Sequence, residues 1–158
     1  MIEIELNTEI ARTAADCWQV FGTRYTDIHL WKSGITASNA EGEAFGESPV
    51  GSSRITTPTI SFSEKLIHFS NAERAFTYQI VGLPFVVSSG SNAWKFTEAE
   101  GKATLHMHLR LQTATGFGWL LNGLLRKNLT KEMGKLLQEF KYYMENGKVH
   151  PRKAKELT

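Results

Sequence analysis

Residues 117–145, FGWLLNGLLRKNLTKEMGKLLQEFKYYME, contain no proline. Leu125, Leu129, Met133, Leu136, Phe140 and Tyr143 recur at steps of three and four, which lays them on one face of an α-helix. The opposite face carries Lys127, Lys131, Lys135, Gln138 and Lys141. At 1.5 Å per residue such a helix spans about 40 Å, more than most domains ask of one element. Most of what precedes it reads as strand. The pattern therefore predicts a large antiparallel sheet wrapped around one rod, with a cavity between them. The first two turns differ: Phe117, Trp119, Leu120, Leu121 and Leu124 point nearly all round the axis. That surplus apolar surface has to meet the Leu83-Pro84-Phe85 loop, a second subunit in a homodimer, or a ligand portal.

The chain has 158 residues, one domain's worth, and 41% of them are hydrophobic. No stretch approaches the roughly 18 apolar residues of a membrane span. The first residues, Met1-Ile2-Glu3-Ile4-Glu5-Leu6, carry acids where a secretory signal carries base, which predicts a cytoplasmic protein. A single cysteine, Cys17, excludes an internal disulfide and reads as inert packing. Net charge is only +2, so nucleic acid is not an expected partner. The excess gathers in residues 147–158, with Lys148, His150, Arg152, Lys153 and Lys155. This basic tail reads as a solvated, frayed end, or else as a surface that touches phosphate or acidic groups.

Upstream of the long helix, strict alternation over residues 2–6 reads as a first strand. Thr13 caps a short helix that carries Asp16 in its first turn and ends at Gly22; a second short helical piece covers residues 25–31. Strands follow over residues 35–40, 51–57, 60–69, 75–81, 85–97 and 102–112, with Pro58-Thr59 as a hairpin turn.

This order, and the strings over residues 10–18 (IARTAADCW), 27–31 (DIHLW), 50–54 (VGSSR), 64–66 (EKL) and 76–78 (FTY), resembles the START-like, helix-grip superfamily, often labelled SRPBCC. Polyketide cyclase/dehydrase-type proteins and lipid-transfer domains belong to it. The resemblance covers nearly the whole chain, to about Glu145. It implies an α+β helix-grip domain over residues 1–146, with two short helices after the first strand. Seven antiparallel strands would grip the last helix around an apolar pocket. It implies no particular reaction, since binders, transporters and enzymes share the fold.

Strand parity assigns faces independently of that resemblance. Phe62, Glu64, Leu66 and His68 share a face with the apolar side, as do Phe76, Tyr78 and Ile80 on the next strand. Glu64 is thus a carboxylate on an apolar inner face. With the hairpin apex at Pro58-Thr59-Ile60, Arg54 falls opposite it. The pair either fixes strand register or anchors the polar end of a ligand. Asn92 and Trp94 share the inner face as pocket groups or satisfied core residues, and Trp31 is a further candidate wall. Met107, Leu125, Leu129 and Met133 complete the expected lining. His106 and His108 lie outside, where no third ligand completes a metal site.

The expected function is binding of a small hydrophobic or amphipathic molecule of lipid, polyketide or aromatic-acid type, with no metal or cofactor. One alternative is a cyclase/dehydratase-type enzyme that uses Glu64 or Tyr78 as acid or base. The other is a protein-interaction module built on the first turns of the long helix and the basic tail.

Overall fold

The structure, a computed structural model, describes residues 1–116 and 118–158, with the side chain of Trp119 set aside. Expectations resting on Phe117 and on the Trp119 side chain lie outside the described residues. Strands β1 (Ile2–Ile10), β2 (Ala37–Glu41), β3 (Ser52–Thr56), β4 (Ser61–Ser70), β5 (Ala75–Val81), β6 (Val87–Ala99) and β7 (Lys102–Thr113) form one antiparallel sheet. Their order is β1-β7-β6-β5-β4-β3-β2, so every neighbour except β1 on β7 is also a sequence neighbour. Helix α1 (Ala14–Phe21), a 3-10 helix (Tyr25–Leu30) and the long α2 (Trp119–Asn146) complete the helix-grip arrangement that the sequence predicts.

Local chemistry explains the short helices. Thr13 caps α1, its hydroxyl accepting from the amide of Asp16 at 3.2 Å. Gly22 ends α1 in the right-handed region, so the left-handed freedom of glycine is not what the position uses. Space is: a Cβ there would run into the ring of Trp18, which is buried and held by its indole N–H on Asn71 Oδ1 at 2.8 Å.

Two irregularities revise the faces expected of β3 and β4. The hairpin closes on Thr57 and Ile60, with Thr57 N–H donating to Ile60 O at 2.9 Å, so Pro58 and Thr59 alone are its centre. The register is Arg54 opposite Ser63 and Ser53 opposite Glu64. One residue of shift turns Arg54 to the outer face and Ser53 inward. Further along, the register with β5 slips between Leu66 and His68, leaving Ile67 unpaired. His68 is exposed and Phe69 takes the inner position.

The interior is packed with rings. Phe21 lies edge-on to Trp94, Phe96 and Phe140, with centroids 4.8, 5.7 and 4.8 Å away. Helix α2 contributes its buried Leu136, Leu137 and Phe140, all in its second half. Leu125 and Leu129 in the first half, and Met133 at the middle, are only half-buried.

Nor is the basic tail a frayed end. Pro151–Glu156 forms α3, and Lys153 is buried with its ammonium on Ile35 O at 3.1 Å. Arg152 Nε donates to Glu139 Oε2 at 3.2 Å, while Gly34 N–H donates to Glu156 Oε1 at 2.7 Å. Glu139 of α2 is wholly buried and also accepts from the amide and hydroxyl of Ser33, at 2.6 and 2.9 Å. Burial alone would raise its pKa, but these bonds, with Lys32 at 3.7 Å and Arg152, hold it below the usual carboxylate range. The cluster ties α2, α3 and the loop after the 3-10 helix together.

Candidate functional site

Inner positions of four adjacent strands bring one polar group into the apolar interior. Ser53 of β3 lies opposite Glu64 of β4, and Tyr78 of β5 lies opposite Asn92 of β6, with Trp94 two residues further on. The alternation that makes each strand half-buried puts these side chains on one surface. Tyr78 is the hub: its hydroxyl donates to the Glu64 carboxylate and accepts from Asn92 Nδ2 at 3.4 Å and Trp94 Nε1 at 3.3 Å.

Electrostatics follow from burial. Desolvation pushes the Glu64 carboxyl up to about 7 against the opposing pull of the Tyr78 hydrogen bond. Burial and then the nearby Glu64 charge drive Tyr78 well above the ordinary phenol value, so it stays a hydrogen-bond donor rather than a base. Tyr25, shifted upward by the same two causes, faces Glu64 from the 3-10 helix. Two further atoms here have no hydrogen-bond partner among the described residues: Ser53 Oγ and Asn92 Oδ1. Unpaired buried polar atoms cost about 1–3 kcal/mol each.

The void beside this group has a volume of about 20 Å³, room for roughly one water. Trp31, Glu64, Phe76, Tyr78 and Trp94 line it as expected. The sequence reading missed Val20, Phe21, Tyr25 and Ile28 on the facing wall, and Arg24 at the rim, which pairs with Asp27 at 3.0 Å. The i, i+4, i+7 spacing of Phe21, Tyr25 and Ile28 was the available signal. The ligand-sized cavity expected between sheet and rod is therefore not open: aromatic side chains fill it.

The remaining candidates lie elsewhere. Arg54 is a correction: on the outer face, it binds Glu41 Oε1 at 3.0 Å and does not reach Glu64. Phe62 sits opposite Ile55 and is half-buried, while Leu66 and Met107 are core residues. Asn92 touches the site only through Tyr78. Leu125, Leu129 and Met133 pack against the core from α2 and do not border the void.

His106 and His108 are on the outer face, His106 on Thr97 Oγ1 at 2.9 Å. Strand β1 does supply acids beside His108, for ligand atoms of Glu3, Glu5 and His108 lie within 4.8 Å of one another. Arg110 Nε, 3.2 Å from Glu3 Oε1, already occupies that carboxylate.

The family described as "Polyketide cyclase / dehydrase and lipid transport" matches residues 1–145, and the chain belongs to it. No protein of curated function matches the sequence. Among solved structures, the chain resembles a START superfamily protein from Mycobacterium smegmatis at 10% identity and a TM-score of 0.68, covering 87% of this chain and 94% of that one. It also resembles the Zhui aromatase/cyclase from Streptomyces sp. R1128 at 13% identity and a TM-score of 0.65, over 94% and 98% of the two chains. An uncharacterised protein from Bacillus thuringiensis matches at 18% identity and a TM-score of 0.66, over 87% and 98%. At these identities the likeness establishes the fold. No helix among the described residues is long and apolar enough to cross a membrane.

Proposed function

We propose that this member of the polyketide cyclase/dehydrase and lipid transport family binds a largely apolar small molecule bearing a hydroxyl or phenol, with that group directed at Glu64. The observation that carries the reading is a buried carboxyl with a pKa of about 7 that borders the void and has no ion-pair partner among the described residues. A ligand hydroxyl in the void can accept from or donate to Glu64, according to its protonation. With Arg54 turned outward, the only cationic side chain among the described residues that borders the void is Arg24, paired with Asp27. A ligand carboxylate would stand beside Glu64 without a counter-charge, so hydroxylated lipids and polyketides suit the site better than aromatic acids.

A one-water void requires the interior to widen for such a ligand. The half-buried stretch of α2 that carries Leu125, Leu129 and Met133 is the part least committed to the core. Each Å² of ligand apolar surface taken from water then contributes about 25 cal/mol.

The test is a thermal-shift panel of matched compounds differing only at the polar end: phenol, methyl ether and carboxylate. Stabilisation by the phenols, lost on methylation and weaker for the carboxylates, supports the reading. No shift with any member, or equal shifts with acids and phenols, overturns it.

A second reading draws on the same pKa. A carboxyl titrating near 7 can both give and take a proton at neutral pH, as acid–base chemistry of cyclase/dehydratase type needs. Tyr78 would then polarise the substrate as a donor. Turnover of an aromatic polyketide that Glu64→Gln abolishes while binding persists supports catalysis; binding without turnover leaves carriage as the function.

A further inference from the structure

The strand ends at one end of the sheet carry no charge. Residues 55–63, 75–94 and 111–125 are free of Asp, Glu, Lys and Arg, and they supply the β3–β4 hairpin, the β5–β6 connection and the lead into α2. The last two run side by side, with Ala114 N–H donating to Val86 O at 2.9 Å. Large apolar side chains of α2 are exposed here: Leu120 by 71%, Leu124 by 57% and Leu121 by 41%.

The helical positions make this surface specific. Leu120, Leu124, Lys127 and Lys131 follow one another at steps of four, three and four, on the side of α2 directly opposite Leu125, Leu129, Met133 and Leu136. These leucines therefore cannot belong to the core. Leu120, Leu121, Leu124 and Lys127 share one open, largely apolar surface. Neither Lys127, Lys131 nor the neighbouring Arg126 forms an ion pair with any described residue, and the first acid in α2 is Glu132. From Leu120 to Lys127 the helix rises about 10 Å, comparable to the roughly 5–10 Å by which an interfacial helix sinks its apolar face below the headgroups.

We infer that the first two turns of α2 dock on an anionic lipid surface. Leu120, Leu121 and Leu124 enter the acyl boundary, and Lys127 and Lys131 meet the lipid phosphates. A second copy of the chain is the poorer occupant, because residues 111–131 contain no Asp or Glu and the same face on another copy offers no acid to match Arg126, Lys127 and Lys131. The inference rests on the outer surface and stands or falls apart from what the interior binds.

Flotation with phosphatidylcholine vesicles, with and without one-third phosphatidylglycerol, tests it. The protein should float with the anionic vesicles alone, and less as salt rises. Lys127→Gln with Lys131→Gln should weaken partitioning about 30-fold, at roughly 1 kcal/mol per lysine. Leu120→Ser with Leu124→Ser should abolish it, with melting temperature unchanged because both sites are exposed. Failure to float, equal flotation on neutral vesicles, or indifference to the lysine pair overturns the inference. So does a concentration-dependent dimer that the leucine variant dissolves.

Discussion

Replacing Glu64 with glutamine should make the protein more stable, and only above acid pH. The carboxyl titrates near 7 in the folded chain against an ordinary value of 4.5. Between those two pH values the native protein holds a proton that the unfolded chain has released. Stability therefore falls as pH rises through that window: the penalty is absent below 4.5, grows across it and is complete above 7. A difference of roughly 2.5 units at 1.36 kcal/mol each amounts to about 3 kcal/mol. That is a ceiling, since a water in the adjoining void would partly solvate the anion. Glutamine keeps the shape, and its carbonyl accepts from Tyr78, yet it never ionises. The wild type and Glu64→Gln should melt alike near pH 4.5. By pH 8 the variant should lead by up to about 3 kcal/mol, or about 6–12 °C for a chain of this size. Subtracting the two pH profiles cancels every carboxylate the proteins share. A difference that stays flat from pH 4.5 to 8, or a wild type more stable at pH 8, would refute a Glu64 that is protonated near neutrality.

Gly22→Ala should destabilise by about 1–3 kcal/mol in urea unfolding, because the new methyl meets a Trp18 ring locked by Asn71; near-neutrality would mean that the ring can yield. Arg54→Ala should change stability by less than about 0.5 kcal/mol and leave ligand-induced thermal shifts intact, as an exposed pair with Glu41 contributes little. Glu139→Gln leaves the buried Lys32 without its counter-charge and should cost about 3–5 kcal/mol at pH 7. Its pH sign is opposite to that of Glu64: Glu139 is held below the usual range, so its contribution is full above that range and fades as pH falls through it. A variant gap that widens in acid would contradict this.

Periodicity made the architecture legible, because alternation and the 3.6 repeat are set by burial and extend over many residues. Parity inside each strand was equally readable: Tyr78, Asn92, Trp94 and Met107 are inward, as the pattern predicts. What failed was parity between strands. The β6–β7 turn has two central residues, Glu100 and Gly101, both at positive φ, so Trp94 and Met107 pair on one face. A four-residue loop gives the same parity, and the misjudged length was harmless there. At Pro58-Thr59 an assumed three-residue apex has the opposite parity to the two-residue turn, and a single residue moved a guanidinium from the pocket to the surface. The bulge at Ile67 left no mark in composition, and His68 was misplaced with it. Glu139 was invisible for another reason: a glutamate in a helix rich in lysine and glutamine reads as surface until a loop and a tail distant in sequence close over it.

The two buried carboxylates separate scaffold from site better than depth does. Glu139 is the more enclosed, wholly buried where Glu64 retains a trace of exposure. Yet Glu139 has its charge matched: two donors from Ser33, one from Arg152 and the Lys32 ammonium surround its oxygens, and its pKa is lowered. Such a group is complete, and any ligand approaching it would have to displace a partner. Glu64 has one neutral donor, no ion-pair partner among the described residues and a raised pKa, and the hydroxyl of its cross-strand neighbour Ser53 is unsatisfied as well. Had Arg54 faced inward, Glu64 would have been complete as well, and the interior would have read as a register-setting ion pair. The shift of one residue in the turn removes that partner and leaves the carboxyl with a pKa of about 7, so that near neutrality its protonated form can meet an uncharged hydroxyl. Incomplete satisfaction under burial, rather than burial itself, is what supports the proposal of binding at Glu64.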